Sequence, residues 1–256
     1  MKHHLFTPPG QQALDAVMKR RPLLAFDFDG TLAPIVTRPD DARVSIGVAK
    51  SLEQLASYLP VAIVTGRRVD DVAPRLGFDP HYIIGNHGAE DPERPELPPE
   101  VYVALTEKLD VLRQKINQHE VDLAALGIQV EDKLHSLALH YRLARDRDAA
   151  LVTIETLLRN LDPALTSFGG KCVVNVVAAN APDKGDAVAS LVQRTGAGAA
   201  VFTGDDLNDE SVFERAEPHW LTVRIGRDDP LSHARFYLDT HAEVATMLQM
   251  MVATLR

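Results

Sequence analysis

Short apolar runs that end abruptly in a polar group recur in both outer parts of the chain. "LLAF" (23–26) stops at Asp27, "VAIV" (61–64) at Thr65, "YIIG" (82–85) at Asn86 and His87, and "AAVFTG" (199–204) at Asp205. Between them, apolar residues recur at helical spacing over Ser45–Tyr58, Val69–Leu76 and Lys184–Thr195. Fully apolar strands alternating with helices predict a Rossmann-like α/β core, a parallel sheet covered on both faces. Such sheets bind ligands beyond the carboxyl ends of their strands. The polar residues that end the runs are therefore expected to meet at one place.

The middle of the chain has a different pattern. "DPERPELPPE" (91–100) is a proline- and charge-rich linker. A long helix pattern follows over about 99–119. "IQVEDKLHSLALHYRLA" (128–144) then gives two strands with a turn near Asp132–His135, and a second helix is predicted near Asp146–Leu161. "GGKCVVNVVA" (169–178) reads as a further strand. This segment predicts a small α+β domain, residues 94–179, inserted into a core made of residues 1–93 and 180–256. A last apolar stretch, "VATMLQMMVATL" (244–255), predicts an amphipathic end helix.

Composition narrows the field. The 256 residues are 45% hydrophobic and 25% charged, enough for a packed core. The formal net charge of −9 argues against nucleic-acid binding, which needs a basic face. No apolar run has the length of a bilayer span, and no protein partner is indicated. The single cysteine, Cys172, and the lack of an apolar leader after "MKHH" suit a reducing cytoplasm.

Asp27 and Asp29 carry the sharpest question. Residues two apart on a strand point the same way, so the two carboxylates are expected to share a face at the strand end. A divalent cation such as Mg²⁺, with its preference for oxygen ligands, answers their repulsion. "GDDLND" (204–209) follows another apolar run and is placed to complete the site. A carboxylate beside a metal can attack phosphorus, and aspartyl-phosphate is an established covalent intermediate. Asp27 is then the nucleophile and Asp29 the acid and base. Thr65, Lys184 and the backbone near Gly30 are the available phosphate donors. Taken alone, D-x-D-G-T also reads as a surface turn, Thr65 as a helix cap and Lys184 as a solvated lysine. The conjunction, in chain order, favours the catalytic reading. A calcium loop fits badly, because a strand precedes the aspartates where that motif wants a helix.

"DFDGTL", "VTGR", "DKG" and "GDDLNDE" resemble the four successive motifs of the haloacid dehalogenase superfamily of phosphatases. "GNHGAE" (85–90) and "VEDKLHSLALHYR" (130–142) further resemble the trehalose-6-phosphate phosphatases within it. The resemblance implies a haloacid dehalogenase fold with an α+β cap, Mg²⁺, and a sugar-phosphate substrate. It implies hydrolysis of trehalose 6-phosphate, with sucrose 6-phosphate or a glycosyl-phosphoglycerate as the alternative. It assigns metal ligation to Asp27, Asp205 and the Asp29 carbonyl, phosphate binding to Thr65 and Lys184, and supporting roles to Asp206 and Asp209. It assigns sugar binding to Glu131 and Lys133, with Gly66, Arg67, His87 and Arg142 as further substrate contacts. Asn175 stands where the family usually has Glu, and "LND" replaces the usual "LTD".

Overall fold

The computed structural model describes residues 3–94, 99–227 and 229–255. Residues 95–98 of the predicted linker therefore lie outside the described residues. The chain forms two compact units, residues 1–92 with 182–256, and residues 93–181.

In chain order the first unit contains β1 (His3–His4), α1 (Pro8–Met18), β2 (Leu23–Phe26), α2 (Ile46–Ala56), β3 (Val61–Val64), α3 (Val69–Val72) and β4 (Tyr82–Ile84). The second contributes α4 (Pro99–Gln118), α5 (Glu120–Ala125), β5 (Gln129–Asp132), β6 (Leu137–His140), α6 (Arg147–Leu157), β7 (Leu165–Gly170) and β8 (Val173–Ala178). The chain then returns to the first unit with α7 (Lys184–Thr195), β9 (Ala200–Gly204), α8 (Glu210–Arg215), β10 (Leu221–Ile225), β11 (Phe236–Leu238) and α9 (Glu243–Thr254).

Among the described residues the first unit holds a seven-stranded sheet in the order β1-β11-β10-β9-β2-β3-β4. Every pairing in it is parallel. Strands β2, β3 and β9 are buried along their whole length, which is why they read as unbroken apolar runs. From β2 the chain steps outward through β3 to β4. From β9, on the other side of β2, it steps through β10 to β11. The order therefore reverses between β2 and β9, the place where open α/β sheets bind ligands. Phe26 pairs with Thr203 there, so Asp27 and Asp205 leave adjacent strand ends.

Two helix starts matter for the site. Ser45 caps α2 by accepting from Val48 N–H. Asp183 and Asp186 form a reciprocal capping box at α7, and Gly196, in the left-handed region, ends that helix. The box fixes the start of α7 at Lys184, with Asp183 as its cap.

The second unit carries an antiparallel sheet in the order β5-β6-β8-β7. One face packs Leu137, Leu139, Val174 and Val176 against Leu112 and Ile116 of α4 and Ile154 of α6, a core separate from that of the first unit.

Four predicted boundaries are corrected. Gly169–Ala178 is not one strand, because Lys171 and Cys172 make the turn of the β7–β8 hairpin, with Cys172 at φ +63°. The helix expected to Leu161 ends at Leu157, followed by Asn160 in the left-handed region. The helix expected to Tyr58 ends at Ala56. The one expected over Val69–Leu76 gives way after Val72 to a 3₁₀ turn containing Pro74, which lacks the N–H an α-helix needs there.

Ile154 lies at the centre of the second core and is fully buried. Ile154→Ala is expected to lower the stability of this unit by about 2–5 kcal/mol. Hydrogen exchange should show faster opening of α6 and β6 with little change at β2 and β9.

Candidate active site

Strand β2 ends at Phe26, and the next residues form a turn closed by an Asp29–Ala33 bridge. The alternation expected to align Asp27 with Asp29 therefore stops before either residue, and the two aspartates enter different surroundings.

Asp27 is buried, and its N–H donates to Thr203 O at the neighbouring strand end. Its carboxylate lies in a buried cluster with those of Asp205 and Asp209, one oxygen of each within 4.8 Å of the others. Lys184 Nζ enters the cluster 3.0 Å from Asp27 Oδ1 and 2.7 Å from Asp209 Oδ1. A lysine in the first turn of a helix faces the positive end of the helix dipole. At 1% exposure it cannot be solvated, so the carboxylates must hold it. Burial opposes the charge on Lys184, but Asp209 and Asp27 outweigh it and raise the pKa, so the ammonium persists. Burial, reinforced by Asp209 and Asp205, pushes Asp27 well above the usual carboxylate range against the pull of Lys184.

Both oxygens of Asp209 are engaged. Oδ1 meets Lys184, and Oδ2 accepts from the N–H groups of Asp205 and Asp206 at 2.8 and 2.9 Å. Asp209 thus shapes the acidic loop and anchors the lysine. Asp206 caps the same turn by accepting from Leu207 N–H. Glu210 accepts from Arg224 and from His233 N–H, fixing the end of the motif. Asp27, Asp205 and Asp209 together form a carboxylate group that could hold a cation. All the donors of this group are hard oxygens, which suits Mg²⁺. Gly30, at φ +78°, lets the turn lie against this group: a Cβ there would fall 2.2 Å from Asp205 Oδ2.

Asp29 lies outside the cluster. Arg67 grips it with Nε to Oδ2 at 2.7 Å and Nη2 to Oδ1 at 2.8 Å. Arg67 also donates to Asp71 and to Pro39 O. In the structure it clamps Asp29 from within the same unit. Burial opposes its charge, but the bonds to Asp29 and Asp71 raise its pKa. The signal was present in the sequence as the four-residue spacing of Arg67, Asp71 and Arg75.

Thr65 is fully buried, and its Oγ1 accepts from Arg67 N–H at 3.2 Å. His87 N–H donates to Thr65 O and Asn86 N–H to Arg67 O, which stitches the loop after β4 to the loop after β3. His87 lies against Gly66, where a Cβ would come 2.3 Å from the ring. Asn208 Nδ2 approaches His87 Nδ1 at 3.4 Å, tying this loop to the acidic turn.

In the second unit, register places Glu131, Ala138, Asn175 and Phe168 in one row across β5, β6, β8 and β7, on the face opposite its core. Glu131 Oε2 lies 2.9 Å from His140 Nε2 and 3.8 Å from Lys133 Nζ. Arg142 is set apart from this group and donates to Lys171 O at the β7–β8 turn. His140 and Phe168 were not anticipated as members of this face. Only the pairing of strands shows them beside Glu131 and Asn175.

Residues 25–232 match the trehalose-phosphatase family. The chain belongs to the trehalose-phosphatase family. It is 32% identical to the trehalose-phosphate phosphatase of Mycobacterium marinum over 257 residues, which covers 95% of this chain and 65% of that protein. It thus spans about two thirds of the length of that relative. The C-terminal domain of the trehalose-6-phosphate phosphatase of C. albicans superposes with a TM-score of 0.78 at 21% identity, covering 99% of this chain and 98% of that one. A HAD subclass IIB sugar phosphatase superposes with a TM-score of 0.55 at 16% identity, covering 89% and 98%. The fold is that of the haloacid dehalogenase superfamily, with a cap domain.

Removing the lysine should expose the repulsion it balances. Lys184→Met is expected to destabilise the protein by about 3–5 kcal/mol in the presence of EDTA, because buried charges lose their partner. Added Mg²⁺ should recover part of that loss in a denaturant titration.

Proposed function

We propose that this chain is a Mg²⁺-dependent phosphatase that hydrolyses trehalose 6-phosphate to trehalose and phosphate. The observation that carries the reading is the buried Asp27 carboxylate, 3.0 Å from Lys184 and beside Asp205 at the switch point of the sheet. Membership of the trehalose-phosphatase family supports the choice of ester.

Asp27 attacks phosphorus in line, forming an aspartyl phosphate as the bond from phosphorus to the sugar oxygen breaks. Asp29 gives the departing oxygen its proton. The sugar leaves as a neutral alcohol. Asp29, now a carboxylate, takes a proton from the water that attacks the aspartyl phosphate, releasing phosphate and restoring Asp27. Lys184 and Thr65 bind the phosphoryl oxygens, with the backbone at Gly66 as a further donor. Bound to Asp27, Asp205 and the Asp29 carbonyl, Mg²⁺ would supply neutralisation of the charge on those oxygens. Asp206 and Asp209 keep the acidic loop in shape.

Glu131, Lys133 and Asn175 of the cap bind the sugar hydroxyls, which pair readily with carboxylate, ammonium and amide groups. His87 and Arg142 have looser claims to the substrate, because their observed bonds serve the loops that carry them. The cap acts as the specificity element, and the protein works in the cytoplasm.

Phosphate release is to be measured from trehalose 6-phosphate, sucrose 6-phosphate and glucose 6-phosphate, each with Mg²⁺ and with EDTA. The expected result is a strong preference for the trehalose ester that EDTA abolishes. Asp27→Asn is expected to remove turnover, a loss of at least about 10³-fold, while the far-UV spectrum and melting behaviour stay those of a folded protein. Preference for another ester would overturn the substrate, and near-normal activity of Asp27→Asn would overturn the mechanism.

A further inference from the structure

Arg67, Asp71 and Arg75 follow one another at four-residue spacing and join Asp29 to Asp40 through alternating charges. Arg67 holds both oxygens of Asp29 and donates from Nη1 to Asp71 Oδ2 at 2.8 Å. Asp71 Oδ1 accepts from Arg75 Nε at 3.1 Å and Nη2 at 2.5 Å. Arg75, itself buried, donates to Asp40 O at 2.6 Å and to its Oδ1 at 2.9 Å. The Arg67 guanidinium also stacks over Phe28, 5.2 Å from the ring centroid, and donates to Pro39 O.

We propose that Asp71 and Arg67 are positioning residues that set the plane of the Asp29 carboxylate for proton transfer. The proposal rests on the reading of Asp29 as the acid and base given above. The Asp29 side chain is nearly half exposed and sits on a turn, so nothing in its own burial fixes its rotamer. A planar fork on both oxygens does. Each oxygen gives one lone pair to Arg67 and keeps the other for a proton, so the grip orients the group without blocking it. Arg67 is a long side chain, and Asp71, Pro39 O and Phe28 remove its freedom in turn. Asp71 belongs to none of the four motifs and bonds no candidate ligand. It reaches Asp29 through Arg67, while its other oxygen holds Arg75.

General acid catalysis can be separated from other losses by the leaving group. A sugar alkoxide needs its proton in the transition state, whereas p-nitrophenolate leaves without one. The ratio kcat/KM extends only through the first irreversible step, so it reports phosphoryl transfer to Asp27 and not the later attack of water. The variants Asp71→Asn and Arg67→Lys are to be assayed with trehalose 6-phosphate and p-nitrophenyl phosphate. The fall in kcat/KM for the sugar ester is expected to exceed that for the aryl ester by at least about tenfold in each variant. Asp71→Glu should recover part of the loss. Equal falls on both esters would overturn the proposal, since a damaged fold or metal site harms both. Unchanged or increased kcat/KM for the sugar ester would overturn it as well. Asp71 is only partly buried, so Asp71→Asn decides the matter if the Arg67 variant fails to fold. A wild-type protein inactive on both esters would instead overturn the function on which the proposal rests.

Discussion

Burying three carboxylates around one ammonium is the constraint on which the rest of this protein depends. Such a group is unstable unless each charge is answered, and the fold is arranged to answer them. Lys184 enters from the first turn of α7, where the helix dipole opposes it, and is held by Asp27 and Asp209. Asp209 cannot turn away, because two backbone N–H groups fix its other oxygen. The close approach of the Asp27–Gly30 turn to Asp205 requires a glycine, since any side chain at position 30 would overlap the carboxylate.

The parting of Asp27 and Asp29 follows from where β2 stops. A strand running on through Asp29 would have put both side chains on one face of the sheet. The turn instead leaves Asp27 in the interior and hands Asp29 to Arg67 at its margin. Two carboxylates two residues apart thereby acquire distinct environments, which is how one site keeps distinct roles for chemically identical groups. The four-residue repeat of Arg67, Asp71 and Arg75 carries that difference outward to Asp40.

The second unit achieves its geometry by pairing rather than by burial of charge. Its helices cover one sheet face with their own core. That leaves the other face free to carry a row of unlike groups, Glu131, Ala138, Asn175 and Phe168, whose spacing is set by the strands. Asn175 contributes an amide to this row. Glu131, in the same row, is shared between His140 and Lys133.

The sequence by itself determined the parallel core, the inserted α+β segment and the residues Asp27, Lys184 and Asp205. Buried parallel strands have no polar face, so their apolar runs and abrupt polar ends can be read directly along the chain. The helix α7 was also readable to the residue, because Asp183 and Gly196 mark its ends locally. Only the tertiary structure decided that Asp29 belongs to Arg67, that Asp209 joins the buried cluster, and that His140 and Phe168 share a face with Glu131 and Asn175. Each of these facts depends on where a strand ends or how strands register. Such features are fixed by contacts between segments far apart in sequence, and no local pattern encodes them. The break of Gly169–Ala178 into a hairpin is of the same kind. Its turn residues, Lys171 and Cys172, carry none of the usual turn signals, and the pairing of β7 with β8 imposes the bend.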